Sequence, residues 1–230
     1  MSNKEKEYAT ETSMENVEHA LSKSEQFIED NQKLLTIIMF AVIILVGGYW
    51  GIKKLYLLPQ ATKAQENIFF AQNYFEKDSF NLALNGDGIN DGFLAIADEY
   101  GMTKPGKLAK YYAGVSYLRL GNFDDAIEYL SDFSCDDDIV NATASGALGD
   151  AYLEKGDVDA AISNYIKAGD VENEIIAATY LLKLGLVYED QKEYGNAIEA
   201  YTTIKEDYKN SAEARSIDKY ITRAKLLAAK

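Results

Sequence analysis

The sequence predicts an all-α chain: a single N-terminal transmembrane helix, then a right-handed α-solenoid of stacked helix pairs, then a C-terminal capping helix. Three observations predict it. Only two prolines, Pro59 and Pro105, interrupt the 230 residues, and neither is expected within a repeat helix, so long helices are sterically allowed almost throughout. Leu34 to Ile52 is an uncharged apolar run of nineteen residues. A helix-turn-helix pattern then recurs three times, keyed on Gly114, Gly149 and Gly185, at separations of 35 and 36 residues.

Residues 1–33 read as an acidic tail with an amphipathic helix. Over residues 14–32, Met14, Val17, Leu21, Ser24 and Ile28 recur at three- and four-residue spacings, which places them on one helical face. Ser13 is positioned to cap this helix, and Glu15 and Glu18 bring negative charge to its opening turns. The face either docks on a membrane partner or lies near lipid headgroups.

The anchor occupies residues 34–54. Nineteen helical residues rise about 28 Å, which matches the hydrocarbon core of a bilayer. Lys33 flanks one end and Lys53 and Lys54 the other, while Tyr49, Trp50 and Tyr56 supply rings suited to the headgroup layer. Some thirty mostly polar residues precede the run, and it exceeds a signal-peptide core, so an uncleaved anchor is expected. The lysine distribution weakly places the C-terminal region in the cytoplasm.

Residues 55–107 read as a linker and a degenerate first repeat. Its first helix spans Ala64 to Lys77 with Phe69, Phe70, Tyr74 and Phe75, and its partner spans Gly92 to Tyr100. Between them the glycines of NLALNGDGINDG indicate an inserted loop or turn. Three regular repeats are expected over 108–211, and residues 212–230 read as the polar cap that a solenoid needs over its last apolar face.

Within each regular copy a glycine (Gly114, Gly149, Gly185) precedes a tyrosine by three positions (Tyr117, Tyr152, Tyr188), so the two share a helical face. The glycine is expected to admit the second helix closely. Turns follow at Gly121-Asn122, Gly156-Asp157 and Lys192-Glu193; two carry a glycine suited to the left-handed conformation that ends a helix, and the third does not. The second helices carry Ala126, Ala161 and Ala197, with Leu130, Tyr165 and Tyr201 four positions on. This grammar resembles the tetratricopeptide-repeat (TPR) family.

By TPR register the concave face is lined by Leu108, Tyr111, Val115 and Leu118, then Thr143, Gly146, Asp150 and Leu153, then Thr179, Leu182, Leu186 and Glu189. Tyr111, Val115, Leu118, Asp150, Leu153, Leu182, Leu186 and Glu189 are the expected partner-binding residues. An apolar groove of this kind suits an amphipathic helix or an extended apolar segment. TPR domains that grip chaperone C-termini carry a lysine, asparagine and arginine clamp here; Tyr111 and Val115 at clamp positions argue against that mode.

Composition excludes other classes. With Lys+Arg 23 against Asp+Glu 37 the formal charge is -14, which repels nucleic acid. The only cysteine, Cys135, cannot form an intramolecular disulfide, and the only histidine, His19, precedes the repeats. No catalytic, metal-binding or cofactor motif is found, and an enzyme is not expected. The loop from Asn85 to Gly92 invites a calcium reading, but Ile89 stands where an oxygen ligand belongs and Asp98 where a glutamate does. Asp136, Asp137 and Asp138 read as solvated loop charge. Asn141-Ala142-Thr143 is a glycosylation sequon only in a eukaryotic secretory setting, so Asn141 is expected to be a helix cap.

The order of tail, amphipathic helix, span and TPRs resembles the YfgM-like family of bacterial ancillary Sec-translocon subunits. That resemblance implies a single-pass inner-membrane protein with periplasmic repeats, against the lysine count. It also implies protein partners: the Sec channel, a membrane-anchored periplasmic chaperone, or translocating polypeptides. A structural role in another envelope complex would use the same surfaces.

Overall fold

The computed structural model describes residues 27–229, and the chain divides into two compact units, residues 1–56 and 57–230. No strand occurs among the described residues. Met14, Val17, His19, Leu21 and Ser24 of the expected tail helix lie outside them.

In the first unit, helix α1 spans Gln32–Gly51 and is long and apolar enough to cross a membrane. None of its side chains is buried. Its one aliphatic hydroxyl, Thr36, donates from Oγ1 to the Gln32 carbonyl at 2.7 Å, so that polar group is satisfied within the helix, as a lipid environment demands. A π-helical stretch, Ile52–Leu57, follows and carries Lys53 and Lys54.

The second unit opens with α2 (Leu58–Glu76), α3 (Phe80–Asn85) and α4 (Phe93–Tyr100). The stretch expected as a linker is therefore helical. Pro59 stands in the first turn of α2, where its missing N–H costs no intrahelical bond. Phe69 and Phe70 are exposed; Ala64, Ile68 and Ala71 form the buried face instead. The inserted segment is only partly a loop, because α3 contributes Ala83 and Leu84 to the same core as Phe93 and Ile96 of α4. Together α3 and α4 act as one interrupted second helix.

The interruption is a turn closed by Asp87. Its carboxylate accepts from the Ile89 and Asn90 backbone N–H groups (2.8 and 2.7 Å), the Asn90 amide (2.9 Å) and the Tyr74 hydroxyl (2.8 Å). These donors hold the acid well below the usual carboxylate range, the Asn90 backbone N–H contributing most. The oxygens that a calcium reading would recruit are thus committed to the turn.

Six helices then alternate: α5 (Lys104–Leu120), α6 (Phe123–Ser131), α7 (Asp138–Glu154), α8 (Val158–Gly169), α9 (Glu174–Asp190) and α10 (Tyr194–Asp207). Pro105 lies in the first turn of α5, inside a repeat helix after all, at a position where proline is tolerated. A 3₁₀ turn, Ala214–Ser216, leads into α11 (Ile217–Ala228), whose Ile217, Ile221 and Ala224 complete the core of the last pair. Short turns make α5 with α6, α7 with α8 and α9 with α10 antiparallel pairs. Each pair packs on the next, and first helices also meet: α5 with α7, and α7 with α9.

Side-chain caps set the starts. Thr103 Oγ1 accepts from Gly106 N at 3.1 Å, Asp157 from Ala160 N at 3.2 Å and Asn173 from Ile176 N at 3.1 Å. At α7 the cap is Asp137, which accepts from Ile139 and Val140 N–H, and not Asn141. Asn141 lies one turn into the helix, where its amide exchanges two hydrogen bonds with the Cys135 backbone (3.0 and 2.8 Å). Nor is the acidic run only solvated charge, since Asp137 caps and Asp136 pairs with Lys104 at 3.1 Å, though that pair is fully on the surface.

The three turns within pairs repeat one geometry. Asn122, Asp157 and Glu193 each donate their backbone N–H to a tyrosine carbonyl of the preceding helix, Tyr117, Tyr152 and Tyr188. The residue before each is left-handed: Gly121 at φ 79°, Gly156 at φ 79° and Lys192 at φ 63°. The third copy keeps the conformation without the glycine, at a cost of about 1 kcal/mol for a side-chain-bearing residue. Lys192→Gly is therefore expected to raise stability by about 1 kcal/mol, read as a higher urea midpoint at unchanged slope.

Candidate polypeptide-binding groove

Close approach within each pair depends on the repeat glycines. A Cβ built on Gly114 would meet Leu130 Cγ at 2.6 Å, on Gly149 the Tyr165 ring at 2.8 Å and on Gly185 the Tyr201 ring at 2.2 Å. The glycines thus face the aliphatic or aromatic side chain of the second helix, while Ala126, Ala161 and Ala197 are fully buried. Tyr117, Tyr152 and Tyr188 pack at the edges of these cores.

The joints between pairs carry groups that sequence reasoning placed in the groove. Tyr111, Val115 and Leu118 pack partly buried against Leu130, Phe133, Ala144 and Ala147, and Leu182 against the core of the last pair. Asp150 is a hub: Lys183 Nζ lies 2.7 Å from both its oxygens, and the Tyr165 hydroxyl donates to Oδ1 at 2.7 Å. Lys183 also lies 5.4 Å from the Tyr180 ring centroid, and the Tyr180 ring fills the space that a Cβ on Gly146 would occupy. Burial, and then the Asp150 carboxylate, push both the Tyr165 and Tyr180 phenols well above their ordinary value.

Glu189 does at the next joint what Asp150 does here. Arg223 Nε of α11 lies 2.8 Å from its Oε2, and the Glu189 side chain is only 10% exposed. Its Oε1 and the Tyr201 hydroxyl are both buried, and neither makes a hydrogen bond of good geometry among the described residues. Both acids expected to line the groove therefore tie consecutive first helices together. Asp150 to Lys183 and Glu189 to Arg223 span 33 and 34 residues, so oppositely charged pairs one repeat apart were the signal by which Lys183 and Arg223 could have been found.

Asp150→Ala would leave the Tyr165 hydroxyl and Lys183 without their acceptor, an expected loss of about 1–2 kcal/mol. Lys183 and Asp150 retain 39% and 32% side-chain exposure, so solvent screens the ion pair itself. A double-mutant cycle with Lys183→Ala should accordingly return a coupling below about 1 kcal/mol, with most of the loss belonging to the Tyr165 contact.

Two of the eight expected binding residues remain open, Leu153 at 39% and Leu186 at 40% exposure. Their positions are related. Leu153 lies three residues beyond Asp150 and Leu186 three beyond Lys183, on parallel helices whose facing turns the ion pair joins. Residues three apart share a helical face, so the leucines stand side by side just past the bridge. Leu226 on α11 is 65% exposed as well and was missed by sequence reasoning, but Arg223 is level with Glu189, so Leu226 stands about 9 Å further along the helix axis than Leu186 and outside that pair.

A cleft of about 1220 Å³ lies elsewhere, at the N-terminal ends of α5 and α7. Lysines and acids line it together, Asp137 is committed to its cap, and Cys135 Sγ lies 3.5 Å from the Asp137 carbonyl and from Asn141 Oδ1. Among the described residues no group of three or more His, Cys, Asp or Glu side chains could hold a metal.

A stack of antiparallel helix pairs with small residues at their crossings and two adjacent uncovered leucines defines a repeat scaffold for protein interaction. The tetratricopeptide-repeat family model matches residues 111–174 and 147–212. No curated protein matches the chain. Among solved structures, the crystal structure of MamA protein is similar at 23% identity with a TM-score of 0.49, covering 73% of this chain and 92% of that one.

Proposed function

We propose that the chain is a membrane-anchored TPR scaffold or holdase, held by residues 34–54, whose groove receives polypeptide segments at a membrane surface. The observation that carries this is the uncovered leucine pair Leu153 and Leu186 on adjacent first helices of the TPR stack, in a chain that also holds a bilayer-length apolar helix without buried side chains. Lipid is the environment in which such a helix is stable. Leu153 and Leu186 contact the bound segment; Tyr111, Val115, Leu118 and Leu182 form the groove's packed floor, and Asp150 and Glu189 fix its helices.

The sequence resemblance to YfgM-like proteins supports a role as an accessory subunit of the Sec translocon, with the repeats in the periplasm. A structural subunit of another envelope secretion or assembly complex is the second reading, since one anchor and one TPR stack serve both. Affinity purification of the full chain from detergent-solubilised membranes tests the choice: recovery of Sec channel subunits supports the first, and recovery of a different envelope complex without them supports the second. Cys135 reports the side of the membrane. It is partly exposed and the only cysteine, so labelling by a membrane-impermeant maleimide in intact cells is expected, and labelling only after permeabilisation would reverse the topology.

A further inference from the structure

We infer that the groove selects an apolar polypeptide segment that carries basic residues, an inference that rests on the groove reading above. Lys183 is the cation beside Leu153 and Leu186, and Arg223 stands one turn further along at Glu189; each is bound by a carboxylate of the neighbouring helix, at 2.7 and 2.8 Å. Neither is free to receive an anionic group. The rim one step past the leucines carries two open carboxylates, with Lys155 bound to Asp124 and the exposed Lys192 as the neighbouring cations. Glu154 follows Leu153 directly, and Asp190 lies four residues beyond Leu186 on the same face; both are exposed, and neither has a basic partner among the described residues.

The corresponding rim position of the first pair is Arg119, also exposed, but there the apolar positions Val115 and Leu118 are already packed against Phe133 and Ala147. Open leucines and open carboxylates therefore coincide over the second and third pairs, which is where the basic residues of a bound segment belong. The wider field has the same sign. Residues 57–230 carry 17 Lys and Arg against 29 Asp and Glu, a net charge of -12, so a cationic segment is drawn toward this unit and an anionic one repelled.

First helices of adjacent pairs lie about 10 Å apart, which matches apolar residues seven apart on a bound helix. The probe is a set of fluorescent peptides with leucines at that spacing, bound to the full chain in phosphatidylcholine nanodiscs, with empty discs as background. One peptide carries lysines between the leucines, one has glutamates in their place, and one keeps the lysines but replaces the leucines with serine.

The lysine–leucine peptide is expected to bind roughly tenfold tighter than the glutamate version, a difference that two surface charges supply and that salt narrows. Glu154→Lys with Asp190→Lys should erase that preference while leaving the helical circular dichroism unchanged. Equal binding of the lysine and glutamate peptides would overturn the charge selection and leave the apolar groove standing. Binding that ignores the leucines, or no binding by any peptide, would overturn both.

Discussion

Tyr201→Ala is expected to lower stability by about 4 kcal/mol, whereas Tyr201→Phe should be neutral or slightly stabilising. The ring is fully buried between the last helix pair and α11, where it fills the space that Gly185 leaves and stands 5.5 Å from the Tyr220 ring. Removing it deletes the packing of three helices at once. Its hydroxyl makes no well-formed hydrogen bond among the described residues and has only a weak contact with Glu189, so removing that atom alone gives up little and relieves a desolvated polar group.

The same site fixes an alkaline limit. Burial, and then Glu189, raise the Tyr201 phenol well above the ordinary value of 10.0, and Tyr165 and Tyr180 are raised likewise. Because the unfolded phenols release their protons first, this stabilisation is complete below about pH 10 and is lost as pH climbs from there toward the folded values. Urea unfolding of the parent and of Tyr201→Phe between pH 9 and pH 12 should show the parent declining more steeply.

The second large effect is on binding. Leu153→Glu with Leu186→Glu should weaken capture of an apolar segment by about a hundredfold or more, since two contacts become carboxylates that must be desolvated against an apolar surface. Both side chains are already more than a third exposed, so the fold should tolerate the change within about 0.5 kcal/mol. Tyr111 is less informative: its ring packs tilted against Phe133, 5.6 Å between centroids, inside a joint, and a charge there would disturb folding as well as binding.

The helix pairs were legible because a glycine, an aromatic and an alanine recur in phase, and that phase is imposed by contacts inside one pair. What the joints do was not legible. Asp150 and Glu189 read as free acids because their partners stand on the following helix, and only the stacking brings Lys183 and Arg223 to them. Arg223 escaped notice because α11, read only as a cap, also meets the preceding first helix through Glu189. Local competition hid other features: Asp137 outcompetes Asn141 as a cap, and Lys192 is held left-handed by its neighbours' hydrogen bonds without a glycine to announce it.

Site-specific photocross-linking in intact membranes tests the central claim most directly. A benzophenone side chain at position 153 or 186 should yield polypeptide adducts, while the same group at the exposed outer position 163 of α8 should not. Adducts at 163 with none at 153 or 186, or equal yields at all three, would contradict a polypeptide-binding groove.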